Sequence, residues 1–135
     1  FQGAESDCSE AIERNPFVVS AYQVRGLARI QQNNFAGAIE DYTKALEFDP
    51  ENIGVWHNMA LCRIRQEDYK GAKNDLDKLI AISPRYTKAY LMRGEVDLKQ
   101  KDTLAAEKDF GKAIEIDCYW IRQEIIKGQL KIILR

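Results

Sequence analysis

"YQVRGLARIQQNNFAGAIEDYTKALEFDP", Tyr22 to Pro50, holds two apolar stripes and a stop. Tyr22, Gly26 and Arg29 stand at i, i+4 and i+7, and Ala38, Tyr42, Ala45 and Leu46 resume that spacing after a short polar break at Gln32 to Asn34. Apolar residues three and four apart share one face of a helix, so the stretch reads as two helices joined by a tight turn. Pro50 closes the second helix. Proline cannot continue a helix, and it disfavours the helical conformation in the residue before it.

The same pattern recurs on both sides. The chain has 3 prolines, Pro16, Pro50 and Pro84, each 34 residues after the last. Gly26, Ala60 and Gly94 form a second column on that ruler, and Tyr22, Trp56 and Tyr90 an aromatic one. Ala38, Ala72 and Ala106 follow, reaching back to Ala4; Tyr42, Leu76 and Phe110 reach back to Cys8; Ala45, Leu79 and Ala113 to Ala11. Asp41, Asp75 and Asp109 make an acidic column preceded by Asp7. A period in this range signals a repeat architecture. Two helices of about 14 residues and two turns fill it. Small residues facing each other let the two backbones approach, with the aromatics filling the space above and below.

These residues resemble the tetratricopeptide repeat (TPR) family, whose unit is a helix–turn–helix with an aromatic–x2–Leu–Gly start, an Ala–x3–Phe second helix and a closing proline. "YQVRGLAR" with "AIEDYTKALEFDP" is one match, "WHNMALCR" with "AKNDLDKLIAISP" a second, and "YLMRGEVD" with "AEKDFGKAIEID" a third, Cys118 standing where proline is expected. The resemblance implies an all-α fold, a right-handed α-solenoid of antiparallel helix pairs, with about three and a half repeats plus a C-terminal helix. The expected divisions of this single TPR domain are 1–16 as the second helix of a truncated repeat, 19–52, 53–86 and 87–118 as repeats, and 119–135 as the terminal helix. The half repeat at the start leads us to expect a piece of a longer protein. The last segment carries Trp120, Ile121, Ile125, Ile126, Leu130, Ile132, Ile133 and Leu134, too many for one stripe, so a following element or a second copy is expected to cover it. A homodimer through Trp120–Arg135 is the partner reading for this end.

Two arginines break the family pattern. Arg25 and Arg93 precede the column glycines where an apolar residue is usual. A buried guanidinium needs a partner, and the acidic column offers one, so Arg25 is expected to pair with Asp41 and Arg93 with Asp109 rather than reach solvent. Met59 replaces arginine in the middle repeat and leaves Asp75 for another donor.

The chemistry classes narrow quickly. With 20 basic and 21 acidic residues the net charge is -1, which argues against a nucleic-acid partner. No apolar run approaches the roughly 20 residues of a membrane helix. Cys8, Cys62 and Cys118 are odd in number and far apart, with no CxxC pair, so they read as reduced packing thiols rather than metal ligands, and a cytoplasmic location is expected. His57 is the only histidine, beside no nucleophile motif, and reads as an exposed helical residue. There is no glycine-rich phosphate loop. Neither enzyme activity nor a cofactor is expected.

Binding is the positive reading: a protein–protein interaction module, with a scaffold or adaptor role. The resemblance implies that first helices line a concave groove, pointing Gln23, Val24 and Leu27, then His57, Asn58, Leu61 and Arg65, then Lys88, Leu91, Met92 and Lys99 at a peptide or helical ligand. The excess of cations favours a ligand with an acidic group. One subfamily, the chaperone co-factors, clamps an acidic tail with two lysines, two asparagines and an arginine. Only Asn58 and Lys88 match that set; Gln23, Leu27 and Met92 occupy the other positions. The alternative function is homo-oligomerisation through the apolar C-terminal helix.

Overall fold

The computed structural model describes residues 2–128, which form helices joined by short turns and contain no strand. In chain order the helices are α1 (Gln2–Arg14), α2 (Val19–Gln31), α3 (Phe35–Phe48), α4 (Ile53–Arg65), α5 (Tyr69–Ile82), α6 (Thr87–Lys99), α7 (Thr103–Ile116) and α8 (Cys118–Ile126). They divide into two compact units, Phe1–Asp75 and Leu76–Arg135, the division falling within α5. In the first unit α1 packs on α2, α2 on α3 and α3 on α4; in the second, α6 packs on α7 and α7 on α8. Short connections between packed helices make the neighbours antiparallel.

The turn inside each repeat has one construction. Asn33, Glu67 and Lys101, spaced by the period, take left-handed φ angles of 59°, 60° and 62°. The next residue's N–H then donates back to a carbonyl of the finished helix: Asn34 to Arg29, Asp68 to Arg63 and Asp102 to Asp97, each at 2.8 Å. This is the six-to-one bond of a Schellman ending. The same residue caps the following helix, its side-chain oxygen accepting from Gly37 N at 3.0 Å, Gly71 N at 3.0 Å or Ala105 N at 3.2 Å. A left-handed residue other than glycine costs about 1–2 kcal/mol. Lys101→Gly is therefore expected to raise stability by roughly 0.5–1 kcal/mol, the gain being trimmed by the extra freedom of glycine in the unfolded chain. Urea denaturation of the pair measures it.

The turns between repeats explain why aromatics and prolines keep step. Tyr22 Oη donates to the Pro16 carbonyl at 2.9 Å, Trp56 Nε1 to the Pro50 carbonyl at 2.8 Å and Tyr90 Oη to the Pro84 carbonyl at 2.8 Å. The ring enters the core while its polar tip satisfies the turn. Where proline is replaced by Cys118, the turn collapses to one residue: Asp117 ends α7 and caps α8, accepting from Trp120 N at 2.9 Å. Within the described residues α8 runs from Cys118 to Ile126, and Gly128 follows with a φ of 75°, its N–H donating to the Ile125 carbonyl at 2.9 Å. Leu130, Ile132, Ile133 and Leu134 lie outside the described residues.

Glycine serves close approach at two places. A Cβ on Gly26 would lie 2.7 Å from Tyr42 Cε1, and one on Gly94 would lie 2.7 Å from Phe110 Cε1. Tyr42 then anchors the first unit's core with Tyr22, Ala38, Ala45, Val55, Met59 and Cys62. The second unit's core gathers Tyr90, Leu91, Ala113 and Ile121.

Both expected ion pairs form. Arg25 donates through Nε and Nη2 to Asp41 Oδ1 and Oδ2, the shortest contact being 2.6 Å. Arg93 does the same to Asp109, through Nε at 3.0 Å and Nη2 at 2.7 Å. Asp41 takes a third donor, Arg29 Nη1 at 3.1 Å. The cation paired with Asp75 is Arg63, one turn beyond Met59, in an ion pair with Nε 2.8 Å from Oδ2.

Candidate functional site

The helix packing sorts the first-helix residues into buried and available faces. In α2, Ala21, Tyr22, Gly26 and Ala28 are buried. The other side presents Val24 and Leu27, 46% and 45% exposed. Gln23 beside them is half-buried. In α4, Val55, Met59, Ala60 and Cys62 are buried, while His57, Asn58 and Leu61 are half-buried and Arg65 is exposed. Both helices enter one core with α3, so the first unit carries a face with an apolar centre and polar flanks. Asn58 sits above Tyr42, whose hydroxyl is buried with no hydrogen bond of good geometry. Burial raises the Tyr42 pKa, and the Asn58 side chain acts against that rise.

In the second unit, Lys88 and Lys99 are exposed on α6 and Met92 is half-buried. Lys88 Nζ stands 6.0 Å from the centre of the Trp120 ring, and Arg85, Tyr86, Thr87, Lys88, Asp117 and Trp120 surround a shallow pocket of about 250 Å³. Leu91 is a correction. It is 4% exposed and packs with Ala113 and Ile121, because α8 covers it, so it is core and not a ligand surface. Glu95 is half-buried on α6. Burial raises its pKa, with Lys99 opposing. A carboxyl whose folded pKa is raised contributes most stability below its ordinary value of 4.5 and loses it as pH rises through the raised value. Glu95→Gln is therefore expected to stabilise the protein at pH 7, with the gain vanishing towards pH 4; thermal melts at the two pH values test the sign.

Two larger cavities lie elsewhere, and the sequence did not announce them. One, of about 490 Å³, is lined by Ile12, Tyr22, Arg25, Asp41 and Lys44, among others. The second, of about 500 Å³, is lined by Tyr90, Arg93, Asp109 and Lys112, the same columns two periods on. Cys62 is buried, and burial pushes its thiol to about 11, while Cys118 is exposed. Among the described residues no group of three or more His, Cys, Asp or Glu side chains could hold a metal ion, and no helix is long and apolar enough to cross a membrane.

Known proteins match this arrangement. A family profile described as "TPR repeat" matches residues 26–62, and one described as "Tetratricopeptide repeat" matches 53–86 and 87–117, together well over half of the chain. No curated protein matches it. Among solved structures, the crystal structure of MamA is 20% identical, with a TM-score of 0.84 over 96% of this chain and 80% of that one. The first TPR of Spaghetti (RPAP3), bound to the HSP90 peptide SRMEEVD, is 27% identical, with a TM-score of 0.71 over 75% of this chain and 80% of that one. The Arabidopsis OM64 TPR domain is 21% identical, with a TM-score of 0.73 over 84% of this chain and 93% of that one. Profile matches, helix pairs and a 34-residue period agree, and the chain belongs to the tetratricopeptide repeat family.

Proposed function

We propose that this chain is a non-catalytic interaction module, a scaffold or adaptor, that takes a peptide or helical segment of another protein on the open face of its first helices. The observation that carries the reading is the pair Val24 and Leu27. They lie three residues apart on α2, and each is nearly half exposed although the opposite side of the same helix is fully committed to the core. A helix apolar on both sides is suited to a second partner. Leu61 continues the apolar surface on α4, with Gln23, His57, Asn58 and Arg65 as polar flanks for a ligand backbone or acidic group. On the second unit, Met92, Lys88 and Lys99 of α6 are proposed as a ligand surface of their own. A related domain, the first TPR of Spaghetti (RPAP3), is bound to the peptide SRMEEVD, which supports a peptide as the class of ligand.

The face differs from an acidic-tail clamp at Gln23 and Leu27, so the favoured ligand is one that lays apolar side chains on Val24 and Leu27. Peptides selected from a displayed library against the wild-type protein are expected to lose at least tenfold in affinity, about 1.4 kcal/mol, to the Val24→Glu/Leu27→Glu variant. Circular dichroism checks that the helices remain. Equal binding by the two proteins would reject the site. A second reading, self-association, rests on Tyr119 and Ile126 of α8, 75% and 70% exposed. A monomeric mass by sedimentation equilibrium would reject it.

A further inference from the structure

We propose that Ser9 is a phosphorylation site whose phosphate is received by Arg25. The repeat itself supplies the argument. Arg25 and Arg93 occupy one column, and each gives two donors to the aspartate of the following helix. The remaining group, Nη1, turns back to the preceding helix. Arg93 Nη1 donates to the Asp77 carboxylate at 2.9 Å, whereas Arg25 Nη1 donates to the Ser9 hydroxyl at 3.2 Å. Ser9, Thr43 and Asp77 share a column of the period. A hydroxyl thus stands where the equivalent repeat holds an anion. The middle repeat is the control within the chain: Met59 supplies no guanidinium, and Thr43 turns its hydroxyl to the Ile39 carbonyl of its own helix at 2.7 Å.

Of the two groups that the Nη1 atoms reach, Asp77 is already an anion, and the Ser9 hydroxyl becomes one on phosphorylation. A phosphate carries about -1.5 to -2 charges near neutral pH and three acceptor oxygens. Arg25 also borders the cavity of about 490 Å³, whose wall carries Lys44, Glu40, Asp41 and Glu47. Arg29 lies close by, divided between Glu5 and Asp41. Arg25 and Arg29 already face Glu5 and Asp41, and Lys44 is paired with Glu47 at 3.3 Å, so the phosphate gains mainly from Arg25 Nη1. A kinase can reach the serine, because Ser9 is half-buried on α1, a helix with no fully buried residue and hence a low cost of local opening. In the transfer, Ser9 Oγ bonds to the γ-phosphorus of a nucleoside triphosphate, the bond to the β-phosphate oxygen breaks, the nucleoside diphosphate leaves, and the hydroxyl proton passes to the kinase's base. The product fastens α1 to α2, the helix that carries Val24 and Leu27.

Two measurements test this. Incubation with an acid-directed serine kinase and Mg-ATP is expected to place phosphate on Ser9, read by mass spectrometry; no incorporation there overturns the proposal. Protein carrying genetically encoded phosphoserine at position 9 is then compared with the unmodified chain by amide exchange. Exchange across α1 is expected to slow about three- to tenfold, and the phosphate's second pKa, followed by phosphorus NMR, to fall below its ordinary value of about 6. Both effects should disappear in Arg25→Met, a substitution the middle repeat already carries as Met59. Unchanged or faster exchange on phosphorylation, or equal slowing without Arg25, would overturn it.

Discussion

Asp41→Ala is expected to cost about 3 kcal/mol, near the lower end of what breaking a buried ion pair costs. Asp41 is 1% exposed and accepts from two arginines, Arg25 at 2.6 Å and Arg29 at 3.1 Å. Removing it strands two positive charges between α2 and α3. The cost stays at the lower end because the arginine side chains are 17% and 18% exposed and retain other partners: Ser9 for Arg25, and Glu5 and the Gly37 carbonyl for Arg29. Replacing the pair together, Arg25→Met with Asp41→Leu, should cost less than the single change, since only Arg29 is then left without Asp41, and it keeps Glu5 and the Gly37 carbonyl. Urea denaturation of the three variants gives the comparison. A double variant less stable than Asp41→Ala would mean that packing, not charge, holds this seam.

Tyr42→Ala is expected to cost about 3–5 kcal/mol, the loss for a fully buried aromatic ring. The ring is 0% exposed and lies against Gly26, where an added methyl would sit 2.7 Å from Cε1. Gly26→Ala alone should cost about 1–2 kcal/mol, overpacking outweighing the better helix propensity of alanine. In the Tyr42→Ala background the same methyl enters the space the ring vacated, so Gly26→Ala should there be neutral or stabilising. The coupling between the two changes is therefore at least about 1 kcal/mol. Tyr42→Phe should fall within about 0.5 kcal/mol of wild type, because the hydroxyl it removes has no hydrogen bond of good geometry in the core. Additive effects at positions 26 and 42 would refute the close contact.

Much of the helix arrangement was legible because its causes repeat. Proline stops, paired small residues and the Arg–Asp columns each recur on one period, and a contact needed in several copies leaves several copies of its residues. The short links were less legible. The left-handed turn falls on Asn33, Glu67 and Lys101, three unlike side chains, because the following cap residue and the backbone bonds fix the conformation. The aromatic-to-carbonyl bonds, Tyr22 to Pro16 and its equivalents, joined two visible columns that sequence alone had no reason to link. The candidate face was read from its position in the repeat, and position alone does not give burial. Val24 and Leu27 are open, yet Leu91, in the column of Gln23 and His57, is closed because α8 packs on it.

The most direct test is to titrate a library-selected peptide into ¹⁵N-labelled protein and map the amide shifts. The proposed function requires the largest changes at Gln23, Val24, Leu27, Asn58 and Leu61 on α2 and α4. Changes centred instead on Ile39, Lys44 and Glu47, at the cavity beside Arg25, would contradict it.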